Sequence, residues 1–313
     1  MVYGTPNQNQ RIVHFRWASG YSPLASRPTH LRRIRDCSVW GTILIDIYRQ
    51  AETSDLHAAL EDLCSPFDNW DFSSAGVYCY WHPRDRESLY VGLARDIPER
   101  FAQHGGLIRF LETGCKVRQI RAHFGGEEEL GFSAVVQSPL SQPITHRQLA
   151  RAGKRWSDID SADRAWSEAQ IDNLRRLEGG LLKVYQLRHG RLPAWNAIGG
   201  LREGARMANA DDNVLDLISG RADSLLVARR PLRELSARPL LAWLENWLHS
   251  ARIAAVAQCL IGDIPITDAR IQAEIARLGE TMKERENLDK LGYLQRHPLD
   301  GGPPIDMTLF DDA

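Results

Sequence analysis

Apolar and polar positions alternate along the first half of the chain in the way that β-strands require. Residues 12–17 (IVHFRW) and 38–48 (SVWGTILIDIY) predict two strands, the second rich in β-branched side chains. Residues 76–81 (GVYCYW) and 87–92 (ESLYVG) predict an antiparallel hairpin, because the polar HPRDR between them suits a turn. Residues 131–137 (GFSAVVQ) predict a further strand.

Helical patterns surround these strands and dominate the last third of the chain. Asp96 is a suitable N-cap for a helix that Gly105 and Gly106 end. A long helical pattern begins near Ser161 or Ser167 and ends at about Leu187. Further helices are expected at 54–64, 146–154, 213–219, 231–235, 238–258 and 267–290.

These elements predict an α/β (α+β) fold, with an antiparallel hairpin sheet flanked by helices. We divide the chain into an N-terminal elaboration (1–72), a central module (73–207) and a helical, acidic C-terminal domain (208–313). The central module contains a polar, basic insertion at 138–163. The polar segment 209–213 marks the second boundary.

Composition indicates a soluble globular protein, with 43% hydrophobic and 25% charged residues among 313. No apolar run approaches the roughly 20 residues that a membrane helix needs, and the N-terminus lacks the pattern of a secretory signal. The five cysteines are scattered, without a CxxC pair, which favours free thiols over disulfides or a zinc site. We therefore expect a cytoplasmic protein.

A net charge of −1 conceals an asymmetry along the chain. Residues 139–207 carry twelve Lys and Arg against seven Asp and Glu, whereas residues 208–313 carry twelve against seventeen. Residues 76–123 are also basic, with eight against five. This distribution indicates that a polyanionic partner would bind the middle of the chain.

The hairpin and the helix after it carry a candidate site. Tyr78 and Tyr90 lie near the centres of the paired strands, and Arg100 and His104 are one turn apart on the same helical face. All four side chains can therefore point to one place. The alternative is that the tyrosines pack within the sheet and that Arg100 and His104 form a solvated face.

Glu178 falls on the apolar stripe of the long helix, where a carboxylate is costly unless a cation or strong donors satisfy it. A hard cation such as Mg²⁺ suits one carboxylate with water and phosphate oxygens. Gly179 and Gly180 follow, and glycine costs about 1 kcal/mol in a helix interior. They indicate a close approach of backbone or ligand, or a break in the helix; an ordinary glutamate at a helix end is the alternative.

Taken in order, these residues resemble the GIY-YIG endonucleases. Gly76-Val77-Tyr78 and Tyr90-Val91-Gly92 match the two signature tripeptides over a typical interval. The family's arginine, histidine, metal-binding glutamate and late asparagine match Arg100, His104, Glu178 and Asn196. The resemblance covers about residues 75–200. It departs from the family at Leu93, where Lys or Ser is common, and in the longer interval before Glu178.

The resemblance implies hydrolysis of phosphodiester bonds in double-stranded DNA with Mg²⁺ or Mn²⁺. Tyr78 or Tyr90, aided by His104, would take the proton of the attacking water. Arg100 would bind the phosphate, Glu178 would hold the metal ion, and Asn196 would hold a neighbouring side chain or the metal-site loop.

The basic insertion is expected to contact DNA, because Lys and Arg bind phosphates and Arg also binds guanine edges. Residues 144–150 (ITHRQLA) weakly resemble the start of a helix-turn-helix, and a solvated basic loop is the alternative. The candidate DNA-binding residues are Arg95, Arg147, Arg151, Lys154 and Arg155.

A nuclease module with its own insertion and accessory regions suggests a restriction or defence enzyme. The alternatives are a homing, mobile-element or toxin nuclease, and a catalytically inactive module that binds nucleic acid or protein. The apolar residues of 238–258 belong to the core or to a homodimer surface.

Overall fold

The computed structural model describes residues 41–67, 72–109, 116–206, 208, 213–262, 266–279 and 292–300. Within them the fold is α+β, which confirms the predicted class. Four antiparallel strands form one sheet in the order β1-β4-β2-β3. The strands are β1 (Thr42–Arg49), β2 (Gly76–Trp81), β3 (Ser88–Ala94) and β4 (Glu129–Val136).

The described helices are α1 (Thr53–Leu63), α2 (Ile97–Gly105), α3 (Val117–Phe124), α4 (His146–Arg151), α5 (Ser161–His189), α6 (Arg202–Ala205), α7 (Val214–Ile218), α8 (Leu232–Ala237), α9 (Pro239–Gly262) and α10 (Asp268–Gly279). Eight of these ten helices match predicted ones, whereas α3 and α6 were not predicted. Helix α5 is continuous through both of its central glycines. The predicted strand at 12–17 and the predicted helical residues 280–290 lie outside the described residues.

One buried apolar core joins the sheet to the helices on either side of residues 209–212. Strand β2 is buried at every position, and its Tyr80 packs with Phe101 of α2 and Phe132 of β4. The same core includes Leu215 and Leu244 from the C-terminal region. The C-terminal helices therefore pack directly on the central sheet, and the domain boundary near 207–213 stays a prediction.

The outer edge of β1 is covered by residues from the C-terminal region. Ile43 donates its amide to the Leu226 carbonyl, and its own carbonyl accepts from the amide of Ala228, both at 2.9 Å. The Arg233 side chain adds a bond to each carboxylate oxygen of the nearly buried Asp46. The two bonds of Ile43 satisfy backbone groups that an open edge would leave unpaired.

A buried ionic network holds the C-terminal region together. One oxygen of Glu245 accepts the Tyr293 hydroxyl at 2.8 Å and the amide of Arg229 at 2.7 Å. Its other oxygen accepts from Arg252 at 2.9 Å, and Arg252 also reaches the Thr42 hydroxyl of β1 at 3.2 Å. The charge is tolerable because both carboxylate oxygens have donors.

The apolar face of α9 is used within the chain. Leu241, Leu244 and Leu248 are fully buried in the core, whereas Trp243 is 43% exposed. This packing favours the core over a dimer surface as the role of α9, and the homodimer stays a prediction. Among the residues described, no helix has both the length and the apolar character needed to cross a bilayer. The described cysteines Cys64, Cys79 and Cys259 are buried.

Gly179 marks a contact between α5 and the segment that enters α6. A Cβ at position 179 would lie 2.4 Å from the Leu201 carbonyl oxygen, whereas one at position 180 would lie 3.6 Å from the Gly204 carbonyl oxygen. Backbone of the same chain thus explains the first of the two glycines. The second has room for a side chain.

We expect Gly179→Ala to lower the free energy of unfolding by about 1–3 kcal/mol, since the Leu201 backbone must move. Gly180→Ala is the matched control and should be neutral or stabilising by up to about 1 kcal/mol through helix propensity. Thermal or urea unfolding of both variants measures the difference. Equal effects of the two substitutions would contradict the close approach.

Candidate active site

The hairpin places the two signature tyrosines on one face of the sheet. Tyr78 pairs with Gly92 and Tyr80 pairs with Tyr90 across β2 and β3, and the rings of Tyr78 and Tyr90 are 5.8 Å apart. The Tyr90 ring folds over Gly92, where a Cβ would lie only 2.7 Å from it. The glycine of the second tripeptide is therefore needed to let Tyr90 lean toward Tyr78.

His104 of α2 completes this group in a defined protonation state. Its Nδ1 accepts the backbone N–H of Lys116 at 3.0 Å, so the proton of the neutral ring is on Nε2. Nε2 is 2.8 Å from the Tyr78 hydroxyl oxygen and donates to it. Burial, then the charges of Arg100 and Lys116, lower the pKa of His104 to about 3.

This geometry changes the role that the sequence suggested for His104. Neither ring nitrogen has a free lone pair for a proton from water, so His104 acts as a donor that holds the Tyr78 oxygen. Tyr78 is 2% exposed, and burial, followed by the charge of Tyr90, raises its pKa well above 10. A side-chain hydrogen bond with Tyr90 contributes to the same increase in the pKa.

Lys116 is a site residue that the sequence analysis missed. It precedes α3, is 9% exposed, and places its ammonium 4.7 Å from the centre of the Tyr90 ring. Its backbone also fixes the tautomer of His104, so one residue contacts two members of the group. The sequence showed only that Lys116 belongs to a basic stretch, residues 76–123. It could not show that Lys116 lies beside the hairpin, because that distance depends on the tertiary fold.

Arg100 lies on α2 one turn before His104 and is half-buried. Its charge lowers the pKa of both Tyr78 and His104, which places the guanidinium within electrostatic reach of both rings. The N-cap of α2 is Asp96, as predicted, and its side chain accepts from the Glu99 amide at 3.1 Å. The cap fixes where α2 begins and hence which way Arg100 points.

The outer edge of β3 receives the two remaining predicted residues. The side-chain amide of Asn196 donates to the Val91 carbonyl at 2.7 Å and accepts the Val91 N–H at 2.9 Å. The amide of Trp195 donates to the Leu89 carbonyl at 2.8 Å. Asn196 therefore holds the backbone of the second tripeptide, and we assign it to positioning rather than to a chemical step.

Glu178 meets the same edge two residues further along. The Leu93 amide donates to its carboxylate, and its charge also acts on Tyr78. Burial raises the pKa of Glu178 to about 7, against the opposing effects of the Leu93 amide and the Arg175 charge. The carboxylate is thus half-buried at this edge and lies within electrostatic reach of Tyr78.

The surroundings of Glu178 suit a divalent cation. An ionised carboxylate that is costly to bury and has one backbone donor gains most from a nearby positive charge. Among the described residues, no group of three or more His, Cys, Asp and Glu side chains is arranged to hold a metal. Glu178 would therefore be a single protein ligand, with water and substrate oxygens supplying the others.

The predicted DNA-binding residues divide into two groups. Arg147 donates to Asp96 at 2.7 and 2.8 Å and to Glu61 at 2.6 Å, and Arg95 is paired with Glu168. Arg147 thus docks the insertion on Asp96 and Glu61. Arg95 pairs with α5 and lies over the Trp156 ring, so we assign both arginines a structural role. The other three, Arg151, Lys154 and Arg155, are exposed.

Comparison of the chain with protein-family models, curated proteins and solved structures found no match. The resemblance to the GIY-YIG endonucleases therefore rests on the residues and their arrangement in this chain.

We expect nuclear magnetic resonance of ¹⁵N-labelled protein to show His104 neutral and protonated at Nε2 between pH 5 and 8. The reason is the Lys116 amide at Nδ1 together with a pKa lowered to about 3. Tyr78→Phe should shift the Nε2–H resonance, because it removes the acceptor. A proton on Nδ1, or titration near neutral pH, would contradict the assigned tautomer.

The raised pKa of Glu178 predicts that ionisation of this carboxyl group lowers the free energy of unfolding. Between about pH 4.5 and 7 the folded state holds a proton that the unfolded state releases, so the cost appears as the pH rises and is complete above about pH 7. Glu178→Gln should be more stable than wild type at pH 8, by on the order of 1–3 kcal/mol. The two proteins should be equally stable at pH 4.

Mg²⁺ should raise the melting temperature of the wild type at pH 8 and leave that of Glu178→Gln unchanged, because the ion compensates the carboxylate. Glu203→Gln, at an exposed position of α6, is the matched control and should respond like wild type. Differential scanning fluorimetry with and without Mg²⁺ measures both effects. A full Mg²⁺ response in Glu178→Gln would place the ion elsewhere.

Proposed function

We propose that the protein is a Mg²⁺- or Mn²⁺-dependent endonuclease that hydrolyses phosphodiester bonds in double-stranded DNA. The observation that carries the proposal is the convergence at Tyr78. Its hydroxyl contacts His104 at 2.8 Å and its pKa responds to both Arg100 and Glu178, which come from α2 and α5. A phosphate-binding cation, a hydroxyl group near the water and a carboxylate that can hold a metal ion are together suited to phosphodiester hydrolysis.

Arg100 binds the scissile phosphate in this proposal. Its guanidinium offers a planar set of donors to two phosphate oxygens. Negative charge grows on those oxygens as water attacks, so the interaction is stronger in the transition state than with bound substrate. Half-burial strengthens it further, because less water competes.

Tyr90 orients the attacking water. It is half-buried, whereas Tyr78 is nearly inaccessible, so Tyr90 is the phenol that a solvent molecule can reach. Tyr78, held by the His104 Nε2–H, fixes the Tyr90 hydroxyl through their shared hydrogen bond. In this proposal the Tyr90 phenolate accepts the proton of the attacking water and becomes a neutral phenol, and the Lys116 ammonium, 4.7 Å from the centre of the Tyr90 ring, stabilises the negative charge before the transfer.

Glu178 holds the cation, which when bound polarises the phosphate and supports the departing 3′-oxygen. Asn196 keeps β3 straight at Val91, between Tyr90 and Gly92, so that the phenol and the carboxylate keep their relative positions. A restriction or defence role for the enzyme stays a prediction.

Plasmid nicking measures the proposed activity directly. Wild-type protein with Mg²⁺ should convert supercoiled DNA to open-circular or linear forms, and EDTA should stop the reaction. Arg100→Ala and Glu178→Ala should each lower the rate about 100-fold or more, the usual cost of losing a transition-state interaction. Arg270→Ala, an exposed arginine on α10, is the control and should match wild type.

Two outcomes would count against the proposal in different ways. Wild-type protein that leaves DNA and RNA intact under all metal conditions would favour a module that only binds. Full activity in Glu178→Ala would refute the metal assignment alone.

A further inference from the structure

Helix α2 has a basic surface at each end, and only one of them was expected. At its N-terminal end the insertion docks through Arg147 on Asp96 and exposes Arg151, Lys154 and Arg155. At its C-terminal end lies α3, whose Arg121 approaches Gly106 so closely that a Cβ there would be 3.3 Å from its Nη2. Arg100 and His104 lie between the two ends.

The α3 surface, which we define as Leu107, Ile108, Arg118 and Arg121, is positive and exposed. Residues 116–126 contain three Lys and Arg and no Asp or Glu. Arg118 and Arg121 are three residues apart and therefore share one face of α3, where both are exposed. Within the described part of the chain, neither forms an ion pair.

Nearby acidic residues do not neutralise this surface, because other cations already hold them. Glu127 pairs with Arg84 at 2.8 Å, and Glu128 and Glu129 both contact Arg49, at 3.1 and 3.6 Å. Among the described residues, the positive charge of α3 is thus left for a partner.

The surface is also partly apolar. Leu107 and Ile108, which follow α2 directly, are 40% and 44% exposed. Exposed aliphatic side chains beside arginines are common where proteins meet the grooves and sugars of DNA.

We propose that the α3 surface binds the DNA backbone on one side of the scissile phosphate, while the exposed residues of the insertion bind it on the other. This inference rests on the proposed endonuclease function. Helix α2 is nine residues long, or about 13 Å. One strand of a duplex presents a phosphate about every 3.4 Å along its axis, so about four phosphates can lie along α2. Contacts from the α3 surface at one end and from the insertion at the other are needed to bind all of them.

Each phosphate contact contributes about 0.9 to the slope of log affinity against log salt concentration. Arg118→Gln combined with Arg121→Gln should therefore lower the slope by about 2 and weaken binding of all sequences alike. The ratio of wild-type affinity to variant affinity should fall about tenfold as the salt concentration rises from 50 to 200 mM. Fluorescence anisotropy with a labelled random duplex in EDTA measures binding without cleavage.

Arg270→Gln combined with Arg277→Gln is the matched control, since it removes two charges from α10. It should keep the wild-type slope. Arg118→Lys combined with Arg121→Lys retains the charge and should keep the slope as well, and circular dichroism of each variant checks that α3 still folds. If the double variant Arg118→Gln and Arg121→Gln keeps the same salt slope as the α10 control, DNA binding by the α3 surface is refuted and the nuclease proposal stands. If wild-type protein binds no DNA, both proposals are refuted.

Discussion

Strand β3 lies at the end of the sheet, so its outward amide and carbonyl groups must find partners from elsewhere in the chain. Trp195 takes the Leu89 carbonyl, Asn196 takes both groups of Val91, and the Glu178 carboxylate takes the Leu93 amide. The candidate site depends on this edge. Residues two positions apart along a strand have the same orientation, so the backbone groups of Leu89, Val91 and Leu93 all face outward. The contacts that satisfy these groups therefore also set the position of Glu178 relative to the tyrosines.

Burial then determines what each group near the tyrosines can do. It keeps His104 neutral, raises the pKa of Tyr78 and makes the ionised form of Glu178 costly. A buried set of groups with perturbed pKa values is typical of catalytic sites. The opposite edge of the sheet, at β1, carries no candidate catalytic group among the described residues. There Leu226–Ala228 covers β1 and a fully paired ionic network supports it, so its polar groups contribute to stability.

Local signals were strong enough to predict most of the described fold. The hairpin was predicted from strand periodicity around a polar turn, and α2 from its Asp96 cap and Gly106 stop; both are confirmed. The half-buried position of Glu178 followed from its place on an apolar stripe. Lys116 was missed because no local pattern distinguishes a lysine that will lie over a tyrosine ring from one on a solvated surface. The same limit applies to Arg147, whose partners are 51 and 86 residues away.

By itself the sequence determined the elements, the α+β class and the order of the residues that resemble the GIY-YIG family, because periodicity, caps and turns are encoded within a few neighbouring residues. The tertiary structure decided the tautomer of His104, the role of Asn196 as a backbone clamp, and which arginines are exposed rather than paired. Each of these depends on which distant segment supplies a hydrogen-bond partner. That choice follows from the packing of the whole chain.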